Sequence, residues 1–331
     1  MLQGIKTKLA LMLVALMACG TPGFAAPHDG MDAASAAFRN GQADDALRTV
    51  AASLHVNSSD AAAWNLQCRI YLAQNQWQNA IPSCERAVQL EPRNSEYHRW
   101  LGHAYGEKAS RAKLLTAYQT AKLVHAEFES AVALDGQNRA ALSDLGEYYV
   151  QAPKMLGGGI DRAESVAQRL ASLDLSRADE LRARIAEARK DYGTAEQEWR
   201  ARIATSKTSA ESVAQAWMDL GSFYRRCSRW DEMLAALKTG AAADKDRGPA
   251  LVDGATILIR ANREPALAAQ WLQEYLNGKT LDETAPAFIV HAELGDLLKQ
   301  SGDKAGANRE FAAARALSAN YVETAAIHNG D

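Results

Sequence analysis

The chain has 331 residues, 47% of them hydrophobic but only 7% aromatic, with a formal charge of −3 at neutral pH. So small a net charge offers no electrostatic footprint for a nucleic acid, and nothing in the sequence reads as a strand-rich domain. Length alone would allow two ordinary domains.

Lys6 and Lys8 precede an apolar run from Leu9 to Ala18, and small residues follow up to Ala26. The run is too short to span a bilayer, and a basic, then apolar, then small-residue order is the layout of a secretory leader. Residues 1–25 are therefore expected to be a signal peptide, cleaved after Gly23-Phe24-Ala25. The same region allows another reading. Leu16-Met17-Ala18-Cys19-Gly20 is similar to a bacterial lipoprotein box, in which Cys19 would carry the lipid. Either way the mature chain is expected outside the cytoplasm, periplasmic or secreted, or anchored to the envelope through Cys19. No second run of spanning length follows, so no transmembrane segment is expected in the mature chain.

Residues 26–60 read as a degenerate first helix pair capping an array, with Asn40-Gly41 as its turn. Residues 61–94 carry Trp64, Cys68 and Tyr71, then Ala80, Cys84 and Ala87, two sets at helical spacing. Pro82 is placed in the first turn of the second helix, where proline costs little, and Pro92 marks the exit. Residues 95–138 open with Leu101, Gly102 and Tyr105 and close with Val124, Phe128 and Ala131, with about ten extra residues between. No glycine or proline falls between Glu107 and Asp135, so a short break near Ser110 and a second helix about three turns longer than usual are expected. Residues 139–177 repeat the opening with Leu142, Leu145, Gly146 and Tyr149, and carry a second insertion around 152–159. Its Gly157-Gly158-Gly159 follows a helix, and no Lys-Ser or Lys-Thr comes after it, so it reads as a tight connection and not a phosphate cradle. Weaker units lie at Ala183–Trp199 and Ala255–Leu272, and residues 288–321 return to the pattern with His291, Leu294, Gly295, Ala307, Phe311 and Ala314. Residues 322–331 form a tail.

One stretch sets the register for all of these. Trp217, Leu220, Gly221 and Tyr224 spell W-x2-L-G-x2-Y on one helix face, and Trp230, Met233, Leu237 and Gly240 continue at matching spacing. This pattern, with units of 34 residues at 61–94 and 288–321, resembles the tetratricopeptide repeat. The resemblance covers the mature chain and implies an all-α fold, a right-handed α-solenoid of about eight helix pairs over 61–321 and its capping pair. Gly102 to Ala109, followed by an Ala-Pro loop ending in glycines, is similar to a subgroup of exported bacterial members; no activity comes with that likeness.

Catalytic motifs are missing: there is no H-E-x-x-H, Cys-x-x-Cys or G-x-S-x-G. No enzyme, cofactor or metal is expected, and His103 with Glu107 makes at most two ligands. In a tetratricopeptide array the first helices line a groove, and residues one or five places after the aromatic slot should face it. Those are Asn65, Arg69, Arg99, His103, Ser143, Glu147, Met218, Ser222 and Asp296, with Arg225 nearby. The first four make one end cationic and suited to a carboxylate or an acidic segment. The carboxylate clamp of chaperone-binding members is matched only in type by Asn65. Cys68 and Cys84 fall on facing helices and would form either a disulfide or two buried thiols. The expected function is a protein or peptide scaffold of the envelope. The alternative is a periplasmic accessory protein holding a small, transporter-associated solute, or an envelope-assembly factor.

Overall fold

The computed structural model describes residues 27–206, 209–278 and 281–321. The leader, Cys19 and the tail after Tyr321 lie outside these residues. The described chain forms sixteen α-helices in eight antiparallel pairs: α1 (Pro27–Arg39) with α2 (Ala43–Val56), α3 (Ala61–Ala73) with α4 (Trp77–Leu90), α5 (Ser95–Arg111) with α6 (Leu114–Leu134), and α7 (Arg139–Gln151) with α8 (Ile160–Ala171). The second half has α9 (Leu175–Ala188) with α10 (Tyr192–Thr205), α11 (Ala210–Arg226) with α12 (Trp230–Ala243), α13 (Pro249–Arg260) with α14 (Pro265–Leu276), and α15 (Ala287–Ser301) with α16 (Lys304–Leu317). The fold is an α-solenoid.

Short polar side chains set where the helices begin. Asp60, Asn94, Asn138, Asp174 and Ser209 each accept a first-turn N–H of the following first helix. The turn inside each pair is one repeated device. Gly41, Asn75, Lys190, Ser228, Asn262 and Gly302 take positive φ just past a first helix. The next N–H then reaches back, as from Gln76 to the Tyr71 carbonyl and from Arg229 to the Tyr224 carbonyl. The two pairs without this turn, α5–α6 and α7–α8, are the ones with insertions.

Within a pair the small-residue register lets the helices close up. A Cβ on Gly102 would sit 2.5 Å from the Phe128 ring, and Phe128 is buried between the helices. The insertion after α5 is a break at Ala112-Lys113, beyond which α6 runs for 21 residues against 14 for α2 and α4. Pro82 lies inside α4, not in its first turn, because the helix starts five residues earlier at Trp77. Tyr192 stands exposed at the start of α10.

The array closes on itself. Phe288 at the start of α15 is fully buried in one core with Ala34 and Phe38 of α1, Leu66 and Ile70 of α3. Gly41, at φ 75°, brings the α1–α2 turn so near α15 that an added Cβ would lie 2.7 Å from the Ala287 amide nitrogen. Tyr321 meets the Phe288 ring edge-on at 5.2 Å, so it seals the seam as well as the last pair. The pair at 27–56 therefore does not cap a free end, since the last pair docks on it. Among the described residues no helix is long and apolar enough to cross a membrane.

Candidate functional site

Closure makes the face lined by first helices an inner wall, and polar links run around it from helix to helix. Arg69 on α3 lies 5.2 Å from the Trp100 ring centroid on α5. Arg99 on α5 reaches Asp144 on α7 at 3.5 Å, and Arg177 on α9 reaches Ser143 on α7 at 3.4 Å. Arg202, from the end of α10, pairs with Glu180 on α9 and Asp219 on α11, each at 2.8 Å. Gln215 on α11 donates to Asp253 on α13 at 2.8 Å, and Thr256 on α13 to Glu293 on α15 at 3.4 Å. Glu283, just before α15, completes the circle by pairing with Arg69.

The expected cationic end is real in composition but not free. Arg69 is held by Glu283 across the seam, and Arg99 lies between Glu96 and Asp144. His103 Nε2 is 2.8 Å from Asp144. Both guanidiniums flank Trp100, that of Arg99 at 4.8 Å. Yet several buried polar atoms here have no hydrogen-bond partner: Asn65 Oδ1, Arg69 Nε, and Arg99 Nε and Nη1. Asn65 is only 8% exposed, so its carbonyl pays desolvation without return.

The remaining expected groove residues scatter. Ser143 donates to the Arg139 carbonyl, Glu147 accepts from Gln151, and Ser222 accepts from Arg226. Arg225 has a buried, unpartnered Nε, and burial, with Arg226 and Arg260 beside it, pulls its pKa below the usual range. Asp296 is half-buried on α15. Met218 is a correction. It is 0% exposed, and its tip fills the space left by Gly240 and Gly254 where α12 and α13 press on α11. His98 and His291, placed in the core by their slot, are half-buried and bound to Glu127 and Glu310 of their paired helices, each at 2.6 Å. The Glu127 hydrogen bond raises the His98 pKa.

A second feature escaped the sequence. An open cavity of about 780 Å³ is lined by Arg139, Ser176, Glu180, Arg202, Asp253 and Thr284, among others. Arg202 comes from the end of a second helix, so a rule that reads only first helices passes over it. Burial raises the carboxyls here. Asp253 goes up to about 6 with Asp219 adding, and Glu293 nearby goes to about 7, the Thr256 hydrogen bond opposing. Asp253 itself is open to the water of the cavity, so what raises it is the mass of protein around the cavity and not close packing of the side chain. Cys68 and Cys84, both fully buried, meet across α3 and α4 with Cα atoms 5.2 Å apart, inside the range a disulfide spans. Among the described residues no group of three or more His, Cys, Asp or Glu side chains could hold a metal ion.

Fold and wall together define a helix-pair solenoid with a polar inner face, the class of rigid interaction scaffolds. A family model described as tetratricopeptide repeat matches residues 31–96. The match covers that stretch alone, and the same residue register runs on through the later helix pairs. No curated protein matches it. Among solved structures it is similar to a thermophilic tetratricopeptide-repeat protein of Thermus thermophilus, at 18% identity and TM-score 0.47, covering 63% of this chain and 100% of that one. A tetratricopeptide-repeat protein of Parabacteroides merdae gives 13% and 0.48, covering 82% and 98%. PilW, a type IV pilus biogenesis factor, gives 16% and 0.46, covering 66% and 92%. The repeat fold suggests a protein–protein interaction scaffold.

Proposed function

We propose that this chain is an exported scaffold of the cell envelope that takes a segment of a partner protein, or a peptide, against its inner wall and performs no chemistry itself. The observation that carries this reading is the unsatisfied cluster of Asn65, Arg69 and Arg99 around Trp100. A peptide carboxylate or acidic side chain would compete for guanidiniums now paired with Glu283, Glu96 and Asp144, and a backbone N–H would supply the donor for Asn65. The wall is held rigid by its own links, so little ordering cost falls on the scaffold. Export rests on the leader-like N-terminus, with lipidation at Cys19 as the alternative form of attachment.

The test is retention of envelope proteins by the wild type against an Asn65→Ala/Arg99→Gln double variant. Arg69 is left alone because it closes the ring. The expected result is one protein kept by the wild type and lost by the variant at unchanged thermal stability. Equal retention by both removes the cluster as the binding site. A solute-binding accessory role has one observation behind it, the polar cavity of about 780 Å³, which is of ligand size.

A further inference from the structure

The first turn of α6 projects from the ring, and burial begins only at Thr120. Leu114 is 89% exposed and Leu115 71%, at the free end of a helix seven residues longer than α2 or α4. Seven residues carry that end roughly 10 Å farther out. Beside it stands the 3₁₀ turn Lys154–Leu156, held to α6 by Tyr148, whose hydroxyl donates to the Leu156 carbonyl at 2.7 Å and lies 3.1 Å from the Ala121 carbonyl. Met155 on that turn is 72% exposed. Three large apolar side chains thus project from one corner of the molecule on two insertions that share a support.

The charge around them is one-sided. The chain has 40 Asp and Glu residues, yet none falls between Lys108 and Ala126 or between Tyr148 and Ile160. Arg111, Lys113, Lys122 and Lys154 are all exposed in these two segments. Of the carboxylates that bound these segments, Glu107 pairs with Arg111, Glu127 with His98, Glu129 accepts from Tyr149 and Glu147 from Gln151, while Asp161 stands exposed at the start of α8. The first turn of α6 has no side-chain cap, so its N–H groups add to the positive potential.

We infer that this corner is an anchor for an anionic lipid surface: Leu114, Leu115 and Met155 enter the headgroup region while Lys113, Lys122 and Lys154 face lipid phosphates. A convex apolar tip ringed by cations suits a bilayer, which yields to it; a peptide or protein partner would need a concavity to bury it. Apolar burial and attraction to anionic lipid act together, neither being sufficient alone.

The test is vesicle partitioning of the full chain, using equal parts phosphatidylglycerol and phosphatidylcholine, beside phosphatidylcholine alone. Variants share the wild-type N-terminus, so its contribution cancels in their ratio. Leu114→Ser/Leu115→Ser should lower partitioning on the anionic vesicles about a hundred-fold. Lys113→Glu/Lys122→Glu should lower it by at least about tenfold, an effect lost in high salt. Lys238→Glu, placed on α12, is the control and should change nothing. Leucine variants that partition as the wild type overturn the proposal, as does equal partitioning of the wild type on both vesicles. Self-association of the wild type that the leucine variants abolish also overturns it, because a second copy would then cover the tip.

Discussion

The Gln74 side-chain amide donates to the Ser318 hydroxyl at 2.9 Å, a bond between residues 244 positions apart that ties the second helix pair to the end of the last. Gln74 is fully buried and also donates to Asp44 Oδ1 at 3.2 Å, while Asp44 Oδ2 accepts the Ala319 N–H at 2.8 Å. Gln76 adds a bond to the Asn320 carbonyl. In an open solenoid each terminal pair has one neighbour. Here the first and last pairs bury apolar surface on each other, and Gln74, Asp44 and Ser318 are paired across the seam.

Closure should therefore be measurable as both stability and shape. Phe288→Ala empties the apolar seam and should cost about 3–5 kcal/mol. Gln74→Ala strands the Ser318 hydroxyl and one Asp44 oxygen and should cost about 1–3 kcal/mol. Small-angle scattering on Phe288→Ala should give a larger radius of gyration at unchanged helix content. A radius matching the wild type would show that the seam does not hold the ring.

Much of this architecture was legible locally. The spacing of Trp217, Leu220, Gly221 and Tyr224 names a helix face, and the same face recurs because each pair meets its neighbours alike. The break before Leu114 and the long α6 were legible for the same reason. Closure was not, because it depends on small rotations summed over eight pairs, and no local pattern holds that sum. Hence Arg69 reads as a free groove cation, although Glu283 takes it from 214 positions away. Met218 failed differently: its neighbours at Gly240 and Gly254 make room for it, so a position that faces a groove in a regular pair faces the core here.

The glycine run between α7 and α8 is a steric requirement. A Cβ on Gly158 would fall 1.7 Å from the Ala152 carbonyl oxygen, a backbone atom that cannot swing aside. Gly158→Ala should destabilise by about 1–3 kcal/mol, read from chemical denaturation. Since the same turn carries Met155, the variant should also weaken any interaction made through that corner. Full wild-type stability in Gly158→Ala would mean that the connection rearranges freely.

In an oxidising compartment the meeting of Cys68 and Cys84 should be a bridge, closing a loop with a sequence separation of 16. A loop of that size should contribute about 3 kcal/mol. Thiol titration of the denatured protein should then fall by two after removal of reductant, and Cys84→Ser should lower the melting temperature in oxidising buffer but little in reducing buffer. An equal loss in both buffers would show that only packing is at stake.

The inner carboxyls give the ring a pH dependence whose sign can be worked out. Glu293 and Asp253 rise to about 7 and about 6 from ordinary values of 4.5 and 3.8, chiefly by burial. The folded ring then binds protons more tightly than the unfolded chain, so their contribution is fully present below the ordinary values and is lost as pH rises through about 7. His98, raised by Glu127, acts in the same direction. Glu196 opposes them at the acid end: burial alone would raise it, but hydrogen bonds from Arg229, Tyr224 and Arg200 bring it to about 2. Its contribution is present above the ordinary value of 4.5 and fades as pH falls toward 2. From these groups stability should peak at about pH 4 and decline toward about pH 8. Glu293→Gln, which keeps the shape without the charge, should flatten the decline, whereas Glu196→Gln should flatten only the acid limb. A Glu293→Gln profile parallel to the wild type above about pH 5 would show that this carboxyl is ionised as freely in the ring as in water.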